Sequence, residues 1–168
     1  MTSDADPGAV PTVDDEVVAQ LAAHPFTDGL DAAHLRGMAQ GGAIVELAAG
    51  QYVFRQGQTS ATFHLLLDGD VDLEVSGGGT APLVLESLHA GDALGWSWLF
   101  TPHRWAFDAH CRTPVRAVVL DATHLRALID HDATIGRDLT RRVAELVIDR
   151  LRHARLQLVS GHAHDHDS

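Results

Sequence analysis

Residues 48–75 read AAGQYVFRQGQTSATFHLLLDGDVDLEV. Short runs of apolar and polar side chains alternate, and the runs are separated by the turns AAGQ (48–51) and LDGD (67–70). Alternation with a period of two is the signature of a strand with one buried face. Glycine marks the turns because it alone takes a positive φ without steric cost, and Gly69 in LDGD predicts such a turn. The same texture continues on both sides, in AIVEL (43–47), PLVLESL (82–88), AFDAHC (106–111) and VRAVVL (115–120). SGGGT (76–80) and HAGD (89–92) supply further turns, and Ser76–Gly79 reads as a hairpin loop. Short strands at this spacing predict a β-sandwich or barrel.

Helical periodicity brackets the strands. From Asp15, Val17, Val18, Leu21 and Ala22 fall on one helical face, and HPFTDGL (24–30) interrupts it. DAAHLRGMAQ (31–40) predicts a short helix capped by Asp31, and DATHLRALID (121–130) another. The spacing then predicts a long helix over Asp132–Leu158. Its apolar stripe runs through Ile135, Leu139, Val143, Leu146, Val147, Leu151, Ala154 and Leu158. Arg137, Arg141, Arg142, Arg150, Arg152 and Arg155 lie among acidic residues on the other faces, as on a solvated or partner-facing helix. The expected organisation is a disordered segment over 1–14, one domain over 15–158, and a His/Asp-rich disordered tail over 159–168. Within the domain, helices fill 15–40, the strands 43–120 and the C-terminal helices 121–158.

Composition narrows the function. The net charge of −11 opposes nucleic-acid binding, which needs a positive field. A single cysteine, Cys111, excludes an internal disulfide framework. No apolar run approaches the roughly 20 residues that span a bilayer. The acidic N-terminus lacks the pattern of a signal peptide, so a cytoplasmic location is expected. No metal site is expected beyond weak capture by His162, His164 and His166, which alternate in the tail. Nucleophile elbows, P-loops and zinc-protease helices are absent, and the histidine pair of a metal-binding jelly roll is missing beside Glu74 and Glu86. The chain therefore reads as a non-enzyme.

The order of these elements resembles the cyclic-nucleotide-binding domain, the sensory half of catabolite-activator-type regulators. HPFTDGLDAAHLRGMA matches its entry helices, and Gly50, Gly57 and Gly69 fall on its turn glycines. HAGDALG (89–95) matches the motif that leads into its ligand-binding segment. The resemblance covers roughly residues 20–158. It implies a β-jelly-roll (double-stranded β-helix), mainly β with flanking helices and a long C-terminal helix. In activator-type members a helix-turn-helix domain follows that helix. Here ten residues follow Leu158, so direct DNA binding is not expected.

The resemblance fails where the ligand belongs. In nucleotide-binding members a glutamate meets the ribose and an arginine pairs with the cyclic phosphate. This chain reads GWSWLFTPHRWAFDAHCRT over 95–113, placing Trp96 in the glutamate slot and Trp105 in the arginine slot. Ala106 matches the small residue that follows. Losing one partner of a buried charged hydrogen bond costs roughly 2–5 kcal/mol. Losing both would weaken the usual binding by about a thousandfold or more. Arg104 stands one position early, where a shifted loop would let it substitute. All three tryptophans lie in this segment.

The candidate pocket is therefore Leu94, Gly95, Trp96, Ser97, Trp98, Arg104, Trp105 and Ala106, a sensor site with no cofactor expected and a cyclic nucleotide left open by the resemblance. Two indoles favour a flat apolar ligand, and Arg104 would choose an anionic group or stack on an indole. Arg137, Arg141 and Arg142 are within reach from the long helix. A haem would need axial ligands, and His103, His110 and Cys111 are the nearby candidates. Two alternatives remain: a ligand-free dimeric interaction module, and a cyclic-nucleotide-responsive regulator acting through a protein partner. The resemblance implies a homodimer formed along Leu139, Val143, Leu146, Val147, Leu151 and Leu158.

Overall fold

The computed structural model describes residues 13–79 and 81–163. Most of the expected leader, together with His164 and His166, lies outside the described residues. Three helices start at aspartate caps. Asp31 accepts from the His34 amide at 2.8 Å and opens α2 (Ala32–Ala39). Asp121 accepts from the His124 amide at 2.8 Å and opens α3 (Ala122–His131). Asp132 accepts from the Thr134 and Ile135 amides and opens α4 (Ala133–Ala163). Such a cap satisfies amides that the first helical turn leaves without partners. The first helix, α1 (Val13–Ala23), precedes a 3-10 turn at Pro25–Thr27.

Eight strands follow: β1 (Ala43–Leu47), β2 (Tyr52–Phe54), β3 (Thr62–Asp68), β4 (Val71–Val75), β5 (Leu83–Leu88), β6 (Ala93–Leu94), β7 (Asp108–Cys111) and β8 (Val115–Asp121). They form two antiparallel four-stranded sheets, ordered β1-β8-β3-β6 and β2-β7-β4-β5. That order is the jelly roll. The short β6 was not separable from its turn in the sequence. It is placed by pairing Leu94 with His64 and Ala93 with Leu65.

Two apolar cores result, and β3 serves both. Phe63 and Leu65 join Val17, Leu21, Met38, Leu125, Ile135, Leu139 and Val143 between sheet and helices. Leu66 joins Phe54, Leu73, Leu88, Leu94 and Cys111 inside the roll. At the β3–β4 hairpin Gly69 has φ +90°, and a Cβ there would lie 2.2 Å from the Pro114 carbonyl oxygen. Only glycine fits that approach.

Three expectations about the C-terminal helix need correction. It runs through Ala163, past Leu158, so 159–163 are helical and His162 belongs to α4. No proline stops it there, the Ser160 hydroxyl donates to the Leu156 carbonyl, and Gly161 alone costs only about 1 kcal/mol. Leu139 and Val143 are fully buried in the chain's own core and are not free to form a seam with a second copy. Leu146 and Val147 are partly buried against that same core. From Leu151 onward the described side chains of α4 are exposed. Arg142 is also committed elsewhere. It donates to the carbonyls of Phe26 at 2.7 Å and Asp28 at 2.6 Å, and pairs with Asp138 at 3.1 Å, fastening α4 to the first helical pair.

Candidate functional site: a closed pocket and an open cleft

The segment after β6 turns on Gly95, which has φ +92°. A 3-10 turn, Trp96–Trp98, then sends the two indoles in different directions. Trp98 is 1% exposed and packs in the helical core 5.4 Å from Phe63, so it does not line a pocket, contrary to expectation. Its carbonyl accepts from Arg126 at 2.7 Å, tying the turn to α3. Trp96 stays half-buried with Phe107 at its edge, 6.2 Å between ring centroids.

The return strand is held against the 57–60 turn. Ser60 donates its amide to the His103 carbonyl, Trp105 to Gln58, and Gly57 to Trp105, at 2.7–3.0 Å. Neighbours in an extended segment point to opposite sides. Arg104 is accordingly exposed and donates to the Gly57 carbonyl at 2.7 Å, while Trp105 turns inward. Arg104, a candidate pocket residue, is therefore directed away from the pocket and is absent from its lining. The register that buries one residue exposes the other.

Trp105 is 5% exposed and lies flat on Phe54, with centroids 3.8 Å apart and planes 7° from parallel. A Cβ at Gly95 would fall 2.6 Å from its Cζ3. The indole closes onto backbone on one side and a phenyl ring on the other. The space left among Leu94, Gly95, Trp96, Ser97, Trp105 and Ala106 is about 10 Å³, hardly one water molecule. Behind it His64 is buried, with ring centroids 6.1 Å from Phe54 and 6.4 Å from Trp105. Its Nδ1 has no hydrogen-bond partner, and burial pushes its pKa down to about 4. A neutral imidazole in an apolar box is what desolvation dictates.

An open cleft of about 240 Å³ begins on the far side of Trp96. It shares Leu73, Trp96 and Phe107 with the closed pocket, and continues to Leu85 and Glu86 of β5 and to Val147, Arg150, Leu151 and Ala154 of α4. Arg150 is mostly buried. It pairs with Glu86 at 2.9 Å, donates to the Ala93 carbonyl at 3.0 Å, and stands 5.8 Å from the Trp96 ring centroid. Sequence reasoning missed this pair. The available signal was position: Arg150 lies four residues after Leu146 and three after Val147, on the helix face that turns towards the body.

The haem candidates are not brought together. Cys111 is fully buried inside the roll, where burial raises its thiol pKa. His110 faces outward, with Nδ1 3.1 Å from Glu74 and Nε2 3.2 Å from the Gly50 carbonyl. Among the described residues no three His, Cys, Asp or Glu side chains are grouped to hold a metal ion. No described helix is long and apolar enough to cross a membrane.

Two helices, an eight-stranded jelly roll and a long C-terminal helix, in that order, define the fold class. Residues 44–132 match the family model described as the cyclic nucleotide-binding domain. The chain belongs to the cyclic-nucleotide-binding domain family. Among solved structures it is similar to a putative cyclic nucleotide-binding protein from Geobacter metallireducens, at 26% identity and TM-score 0.71, covering 79% of this chain and 96% of that one. It is also similar to the sensor domain of the transcriptional regulator DNR from Pseudomonas aeruginosa, at 18% identity and TM-score 0.67, covering 82% and 93%. A third is the regulatory subunit of a cAMP-independent protein kinase A from Trypanosoma cruzi bound to guanosine, at 22% identity and TM-score 0.61, covering 68% and 40%. No curated protein sequence matches the chain.

Proposed function

We propose that this chain is a non-enzymatic regulatory module, acting in the cytoplasm, that does not take cAMP or cGMP through the usual ribose and phosphate contacts. The observation that carries the reading is the Trp105 indole, stacked at 3.8 Å on Phe54, at the residue that the resemblance aligns with the family's phosphate-binding arginine. A cyclic phosphate there would have to displace the indole and would meet no cation, because Arg104 points outward. Trp96 in the glutamate slot removes the ribose contact as well. The Trypanosoma cruzi subunit, described as cAMP-independent and bound to guanosine, supports the idea that this fold works with other ligands. Output would pass to a protein partner, since the acidic chain offers no positive field for DNA.

The test is intrinsic fluorescence, since all three tryptophans lie at or beside the site. Titration with cAMP and cGMP to about 1 mM, a standard-state affinity near −4 kcal/mol, is expected to leave the emission unchanged. A saturable change at micromolar nucleotide would overturn the reading. It would favour the alternative of a cyclic-nucleotide-responsive regulator acting through a partner.

A second reading concerns assembly. Val147, Leu151, Ala154 and Leu158 follow the alternating three- and four-residue steps of a two-stranded seam. Leu151 is 61% exposed, Leu158 65% and neighbouring Val159 70%. Exposed apolar side chains at this spacing suit a second copy of the same helix. We propose a homodimer through this outer half of α4, with the buried Leu139 and Val143 excluded from the seam. Light scattering at tens of micromolar, about the range in which weak helix pairs form, decides it. A monomer would refute the dimer.

A further inference from the structure

We infer that the cleft between Trp96 and α4 is a binding site for a small, flat, uncharged aromatic molecule. The inference rests on the reading that the phosphate end of the family pocket is closed, and it names the ligand class of the part left open. Size comes first. A cleft of about 240 Å³ is smaller than the roughly 300–1,000 Å³ of drug-sized sites, so it suits a one- or two-ring molecule and not a nucleotide. The walls are Leu73, Leu85, Trp96, Phe107 and Leu151, with the indole and phenyl rings in a T-shaped contact at 6.2 Å that gives the cleft an aromatic lining.

Charge decides the rest. The two charged groups in the lining are Glu86 and Arg150, and they neutralise each other at 2.9 Å. Nη2 donates to the Ala93 carbonyl and the guanidinium stands over the face of Trp96, while the buried Nη1 makes no hydrogen bond beyond its ion pair with Glu86. No uncommitted cation in the lining balances an anion, and an anionic ligand would have to compete with Glu86 for Arg150. A neutral ring leaves the pair intact and buries apolar surface on both partners. Val147, Arg150, Leu151 and Ala154 bring α4 into the site. Occupancy is thereby read by the helix proposed to pair with a second copy.

The experiment is saturation-transfer NMR on the full chain at neutral pH, with indole and indole-3-carboxylate as probes. Indole should bind with a Kd on the order of 1 mM or tighter, as expected for a fragment of this size, and the carboxylate about tenfold more weakly or worse. Ala154→Trp, at an exposed position in the lining, should fill the cleft and abolish the indole signal without disturbing the fold. Glu86→Gln should release Arg150 and erase the preference, because the carboxylate gains about tenfold. Equal or tighter carboxylate binding by the native chain would overturn the inference. So would an indole signal that survives Ala154→Trp, or no transfer from indole up to its solubility. Adding cAMP separates the two claims. It should leave the indole signal unchanged, whereas displacement of indole by micromolar cAMP from a native chain whose signal Ala154→Trp also abolishes would refute the closed pocket and spare the ligand class.

Discussion

Closure of the pocket by Trp105 against Gly95 can be measured as a coupling energy. Gly95→Ala is the perturbation. Gly95 sits at φ +92°, where an L-residue costs about 1–2 kcal/mol, and its new Cβ would also lie 2.6 Å from Cζ3 of Trp105. That distance lies well inside van der Waals contact. The flat stack on Phe54 blocks retreat of the indole across that face. Overpacking of this kind adds about 1–3 kcal/mol, giving a total of about 2–5 kcal/mol for Gly95→Ala. Trp105→Ala alone should cost about 3–5 kcal/mol by leaving a cavity. In the Trp105→Ala background the clash has gone, and Gly95→Ala should then cost only the backbone part, about 1–2 kcal/mol. Urea unfolding of the four proteins yields the coupling, expected at about 1–3 kcal/mol. Additivity within about 0.5 kcal/mol would mean that the ring does not press on Gly95, and the plugged-pocket geometry would be wrong.

Further outcomes follow from other parts of the fold. His64 holds a pKa near 4 in the folded state against 6.5 for the free side chain. Its contribution is intact above pH 6.5 and is lost as the pH falls towards 4, amounting to about 3 kcal/mol. Burial depresses His24 in the same direction. Denaturation midpoints should therefore drop steeply between pH 6.5 and 4, and His64→Phe should flatten that drop. Gly69→Ala should destabilise by more than about 3 kcal/mol in thermal melts, because the Pro114 carbonyl at 2.2 Å is backbone and cannot step aside. Leu151→Asp with Leu158→Asp should convert the proposed dimer to monomer in light scattering and leave thermal stability of the domain within about 1 kcal/mol, since both side chains are exposed.

The strands and their turns were legible because alternation and glycine are local signals. Gly69 stands at the tight β3–β4 hairpin that its place in LDGD predicts. Trp96 and Trp105 were legible as departures from the family's sequence pattern. What each tryptophan does was not, because side-chain direction depends on partners far away in sequence. Trp98 is claimed by the helical core through Phe63, and Trp105 by Phe54. Arg104 loses the pocket to a pairing with the 57–60 turn that no local pattern announces. The long-helix stripe showed a similar limit. A single apolar face spans two environments, buried at Leu139 and Val143 and exposed from Leu151 onward, and periodicity alone does not mark the point where the body ends. Arg150 was hidden for the converse reason, since its partner Glu86 lies on a strand distant in the chain.

The proposed loss of cyclic-nucleotide binding rests on Trp96 and Trp105 standing in place of the groups that hold the ligand. Isothermal titration of cAMP into the native chain and into a Trp96→Glu, Trp105→Arg double variant measures that replacement. Restoring both buried contacts should recover about a thousandfold in affinity, so that heat is released by the variant at micromolar cAMP and none by the native chain below about 1 mM. Micromolar binding of cAMP by the native chain, unchanged in the variant, would mean that the tryptophans do not close the site.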